Sequence, residues 1–231
     1  MLYTLLLRGR GLPEGHFLGS YTLQRWEELA QKLRFIGGNP SFPKPTPRNT
    51  DHQHILHFAF QYRGRPRQIL FSEYAGENFD LWSKDETSAL AEIPRWLHAH
   101  SSGFLLFADC QALAAGKARA RKQVEGLAQR LAGGLNNRPV ALAWSKADCM
   151  RDVHPRTVDK LRETISKWIP NVREFEISSV SRSDHDPRVH TNNWAAVEFL
   201  LRTAGETQPL SLARQYPSHT PDFFLNYGKH E

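Results

Sequence analysis

Ser145, Lys146 and Asp148, in the stretch PVALAWSKAD, bring a hydroxyl, an ammonium and a carboxylate together at the end of an apolar run. A carboxylate accepts hydrogen bonds from paired N–H donors, and a lysine offers positive charge on an aliphatic stem, so the cluster could hold a polar ligand. Other candidate strands are followed by small, polar or charged groups. RQILFSEY is followed by Ala75, Gly76 and Glu77, GFLLFAD by Cys110, and VREFEI by Ser178 and Ser179. Taken singly each has an ordinary role: Asp148 caps a helix, Gly76 makes a turn, and the serines lie in a loop. Together they suggest one ligand mouth. The histidines suggest less. His52 and His54 share a strand face with no third ligand beside them, so Asp51–His54 with His57 reads as a solvated strand edge, as do His98 and His100. Asp184, His185 and Asp186 read as a polar loop, and the six tryptophans as core packing rather than base-stacking platforms.

The elements that would position this mouth follow from periodicity. Residues 2–8 read as a helix, GRGLPEGHFLGS as a loop, and TLQRWEELAQKLRF as a helix with Leu23, Trp26, Leu29 and Leu33 on one face. NPSFPKPTPRNT holds four prolines and cannot be regular structure. HILHFAFQYR and RQILFSEY then form a hairpin about Arg63–Pro66. A helix within 79–100, the strand GFLLFADC, a helix from about Gly116 to Leu135, the strand PVALAWSK, a helix from Pro155 to Trp168, the strand VREFEIS and a helix through WAAVEFLLR complete the order. Buried strands alternating with helices predict an α/β fold, its mostly parallel sheet covered on both faces. Ligands bind such sheets at the carboxyl ends of the strands.

Composition sets the bounds. The 231 residues, 40% hydrophobic and 23% charged, suit one soluble domain with a tail. The net charge of +6 is scattered along the chain, which speaks against a nucleic-acid partner. Cys110 and Cys149 have no CxxC neighbour and fit a reduced, cytoplasmic protein. MLYTLLL is too short to span a membrane, so no membrane partner is expected.

In this order the segments resemble the P-loop GTPases of the translation-factor and Ras-like (TRAFAC) class. The family's DxxG, [NT]KxD and SA[KL] motifs match Glu73–Gly76, Ser145–Asp148 and Ser178–Val180. FLGSYTLQRWEELAQKLRF, FPKPTPRNT, HILHFAF, YAGENFDLW and LLFADCQAL further resemble the bacterial double-GTPase branch of predicted conflict systems. The resemblance covers about residues 1–205, leaving 206–231 as a tail. It implies a three-layer Ras-like sandwich, the cofactors GTP or GDP and magnesium, protein partners, and a nucleotide-dependent switch in conflict or defence. It also implies roles. Asp148 would accept the guanine N1 and N2 donors, Lys146 would lie along the base, and Ser178 and Ser179 would approach its oxygen. Ser145 would brace the phosphate loop, the Gly76 amide would face the terminal phosphate, and Glu73 and Thr46, with Thr50 as alternative, would lie toward magnesium. Glu77 stands where a glutamine orients water, with a salt bridge or helix cap as its structural alternative.

One motif of that class, GxxxxGK[ST], does not occur in the 231 residues. The cluster from Gly11 to Gly19 has no lysine in place, and MLYTLLLRGRG resembles the helix that follows such a loop, so strand and loop are expected upstream of residue 1. Two functions are then open: a GTP hydrolase completed by that loop, or a degenerate GTPase-fold scaffold that binds partner proteins without hydrolysis. Base contacts alone supply only a few charge-assisted hydrogen bonds of roughly 1.5–3 kcal/mol each, so weak GTP binding is expected of these residues. The strands flanking the missing one are expected to leave open edges.

Overall fold

The computed structural model describes residues 15–32, 35–36, 39–40, 54–73, 76–178, 186–189 and 191–204. The chain starts with strand β1 (Gly15–Gly19), helix α1 (Leu23–Lys32) and the short strands β2 (Phe35–Ile36) and β3 (Asn39–Pro40). The hairpin β4 (His54–Tyr62) and β5 (Arg65–Glu73) follows, then α2 (Gly76–Lys84), a 3-10 turn (Ala89–Ala91) and α3 (Glu92–His100). The remaining elements alternate: β6 (Phe104–Asp109), α4 (Cys110–Ala132), β7 (Val140–Ser145), a 3-10 turn (Ala147–Asp152), α5 (Pro155–Trp168), β8 (Arg173–Glu176) and α6 (Thr191–Ala204). This is the α/β architecture expected of a Ras-like sandwich.

Two three-stranded sheets carry it. β1-β4-β5 is antiparallel and β6-β7-β8 parallel, so among the described residues β5 and β6 are each paired on one side only. In β6 the buried Leu106 and Ala108 face the core and flank a half-exposed Phe107 on the opposite face. β7, paired on both sides, is buried from Val140 to Trp144.

The core reflects helix periodicity. α5 starts with Pro155 at its first turn, where the missing N–H costs nothing, and the His154 ring nitrogen caps the Arg156 amide. Its buried face, Val158, Leu161 and Ile165, packs with Leu113, Val124 and Ala128 of α4 against Leu142 and Trp144. The buried Trp144 indole N–H is satisfied by Glu174, 2.9 Å away. α6 lies against both sheets. Trp194 and Val197 join Phe58, Phe60 and Tyr62, while Ala196 and Phe199 join Ala141, Ala143 and Phe175. The Tyr62 hydroxyl donates to Glu198 at 2.7 Å on the same helix.

Three expectations need correction. GLPEGHFLGS is not all loop: its second half is β1, whose Phe17 opposes Phe60 and lies tilted against Phe58 with ring centres 5.3 Å apart. The helix expected within 79–100 starts at Gly76 and divides into α2 and α3, because Thr87 turns back onto the Asp85 carboxylate through its amide and hydroxyl. α4 begins at Cys110 rather than near Gly116, since Asp109 accepts the Ala112 amide as an N-cap. Residues 2–8 and the tail 206–231 lie outside the described residues. Among those described, no helix is long and apolar enough to cross a membrane.

Two outcomes test this packing. Leu161→Ala leaves a hole between α5 and the sheet and should cost about 2–5 kcal/mol in urea denaturation; a loss below about 1 kcal/mol would contradict the buried face. Burial, helped by the charge of Asp109, pushes the Cys110 thiol up to about 12. A disulfide reagent at neutral pH should therefore label half-buried Cys149 first and Cys110 only on unfolding, and equal native rates would refute the assignment.

Candidate functional site

β7 ends at Ser145, opposite Asp109 at the end of β6. The chain then turns sharply: Lys146 takes the left-handed conformation, φ 51° and ψ 46°, a region that costs a residue with a Cβ roughly 1–2 kcal/mol. Its ammonium is held on the β6 side, 2.8 Å from the Asp109 carboxylate and donating to Gln111 at 2.9 Å. Both partners are partly exposed, so this pair contributes about 1 kcal/mol at most, and its effect is to aim the side chain.

The 3-10 turn that follows carries Asp148. The Ala147 amide donates to Ile177 at 3.1 Å, tying the turn to the end of β8. One oxygen of the half-buried Asp148 carboxylate accepts the Ser178 hydroxyl at 3.2 Å, and the other lies 3.8 Å from the Cys149 sulfur. Ser178 is only 5% exposed. Its amide donates to the Arg188 carbonyl at 3.1 Å, and its carbonyl accepts the Asn193 side-chain amide at 3.2 Å. Asn193, buried at the start of α6, also donates to the Val189 carbonyl at 2.5 Å. Arg188 grips Asp186 through two nitrogens, Nε at 2.8 Å and Nη2 at 2.7 Å, and donates Nη1 to the Ala147 carbonyl at 3.3 Å.

Of the residues singled out by type and spacing, the structure gathers Ser145, Lys146, Asp148 and Ser178 at the ends of β7 and β8. Gly76 and Glu77 are exposed in the first turn of α2, which follows β5 in the other sheet. A Cβ on Gly76 would meet nothing within 4 Å, so packing does not demand glycine there. Glu73 is the last residue of β5; its side chain, with Thr46, Thr50 and Ser179, lies outside the description. Among the described residues no group of three or more His, Cys, Asp or Glu side chains could hold a metal ion.

Sequence reasoning missed Asp109, Gln111, Arg188 and Asn193, and gave Asp186 only a place in a polar loop. Asp109 had a local signal, an N-cap before a helix; Arg188 had none, because it meets Ala147 only through the tertiary fold. The histidine expectation needs correction too. His57 is buried rather than solvated, its Nδ1 accepting the Tyr21 amide at 3.0 Å and its Nε2 lying 3.2 Å from Gln68 Oε1. His98 is packed between Trp82 and Phe104, and burial pushes its pKa down. Trp96 and Trp168 are exposed, not core.

This arrangement can offer a half-buried carboxylate and, on the β6 side, an ammonium on an aliphatic stem to one donor-bearing ligand at the strand ends. No curated protein matches the chain. A family model described as Double-GTPase 2 matches residues 1–202. The match covers most of the 231 residues and agrees with the α/β fold and the polar strand ends, so the chain belongs to the Double-GTPase 2 family and is a GTPase-like nucleotide-binding protein.

Proposed function

We propose that the protein binds guanine nucleotides and acts as a cytoplasmic nucleotide-dependent switch with protein partners in a bacterial conflict or defence system. The observation that supports this most is the half-buried Asp148 carboxylate, held by the Ser178 hydroxyl at the end of the parallel sheet. Guanine offers two parallel N–H donors, at N1 and N2, which one carboxylate can accept together. Adenine offers no such pair, and would leave the charge without its partners. On binding, the Ser178 hydroxyl yields part of the carboxylate to the base, while the Lys146 stem covers the base face and its ammonium stays near Asp109. Ser179 extends the serine contact, and Ser145 braces the phosphate side.

The same reading gives Gly76, exposed in the first turn of α2, an amide toward the terminal phosphate. Glu77 orients water there. Magnesium belongs to the proposal: Thr46 and Glu73 would hold it, and it would offset the charge of the phosphates. A second reading, a GTPase-fold scaffold that binds proteins without hydrolysis, draws on the outer face of the antiparallel sheet. There Ile55 and Leu70 are exposed, Leu70 by 67%.

Isothermal titration of the 231-residue chain separates the two. The unmodified protein should prefer GDP over ADP, and Asp148→Asn should weaken GDP by about tenfold or more while improving xanthosine diphosphate, whose C2 oxygen accepts the new amide. Unchanged preference in Asp148→Asn would reject the base-reading role, and no preference in the unmodified chain would favour the scaffold.

A further inference from the structure

Resting on the guanine reading above, we propose that Arg188 is a positioning residue for base selection. Three chain segments meet at Asp148: the 3-10 turn, the end of β8, and residues 186–189. Hydrogen bonds close them into a ring. Ala147 is bound to Ile177, Ser178 to Arg188 through the backbone, and Arg188 back to Ala147 through its side chain. The ring therefore passes through the residue immediately before Asp148 and through the serine that holds its carboxylate.

Arg188 is suited to set this geometry. A guanidinium is planar, and the two-pronged grip of Asp186 fixes that plane, which directs the remaining nitrogen at the Ala147 carbonyl. The Arg188 amide also donates to Asp186 at 3.0 Å, so backbone and side chain are locked by one carboxylate. On the far side Asn193 fastens Ser178 and Val189 together from the first turn of α6. Hydrogen bonds weaken steeply with angle, and a carboxylate must lie in the plane of the base to accept both donors at once. A ring that holds the Asp148 turn on one side and Ser178 on the other sets that plane. Removing Arg188 frees the Ala147 carbonyl and lets the turn rotate, and the second, N2 contact is the first to be lost.

Inosine diphosphate lacks the 2-amino group, so the ratio of GDP to inosine diphosphate affinity reads that second contact directly. The ratio is measured by equilibrium dialysis on the full 231-residue chain, unmodified, Arg188→Ala and Arg188→Lys, with ADP as the base control. Arg188→Ala should lower the ratio by about tenfold, with a thermal midpoint close to that of the unmodified protein. Arg188→Lys keeps the charge but not the fork, and should behave like the alanine variant. An unmodified ratio in either variant overturns the proposal, and Arg188→Lys alone decides it if the alanine variant does not fold. If the unmodified chain binds GDP no better than ADP, the guanine reading fails and this proposal with it, a result visible before any substitution is compared.

Discussion

The molecule depends on a strand that has no exposed face. From Val140 to Trp144 β7 is buried on both sides and hydrogen-bonded to β6 and β8 along both edges. Moving it by one residue would draw Ser145 inward and push an apolar side chain into the loop, so its register is fixed by burial rather than by any single contact. The polar residues can appear only where the strand stops. That constraint delivers Ser145, Lys146 and Asp148 to one end of the parallel sheet, and the Ala147 amide, bound to Ile177, extends the ladder by one step beyond it.

Around that end, stability and binding geometry are shared by the same groups. Asp109 caps α4 and also pairs with Lys146; Glu174 satisfies the Trp144 indole and also takes Arg162 at 2.9 Å. α6 does this on a larger scale. One face fills the parallel sheet, another fills the antiparallel sheet, and its first turn supplies Asn193 to the Ser178 segment. Two sheets that share no strand pairing among the described residues are thus joined through one helix and its aromatic contacts, with Trp194 edge-on to Phe60 and Tyr62, each 6.2 Å between centres.

Much of this was legible in the residues alone, and the part that was not shares a cause. β6 and β7 announced themselves as apolar runs, β8 as a short stretch alternating about Phe175, and α5 by its spacing, because burial on a sheet or on one helix face leaves a periodic mark. The ligand end was legible for the same reason, a polar cluster following an apolar run. β1 was not. Its alternation lasts a few residues between glycines, and what makes it a strand is a partner, β4, far along the chain. Asn193 and the Arg188 contact to Ala147 were invisible likewise, since the partners there are main-chain carbonyls, which carry no residue type. His57 misled because alternation says which residues share a face, not whether Ser20, Tyr21 and Trp26 will close over it.

The left-handed backbone at Lys146 has an evolutionary corollary. Glycine and asparagine enter that region readily, whereas valine and isoleucine are excluded by the branch at their Cβ. A lineage that discards the ammonium without rebuilding the bend therefore has a narrow set of exits. Stereochemistry and charge are inherited together at that one codon.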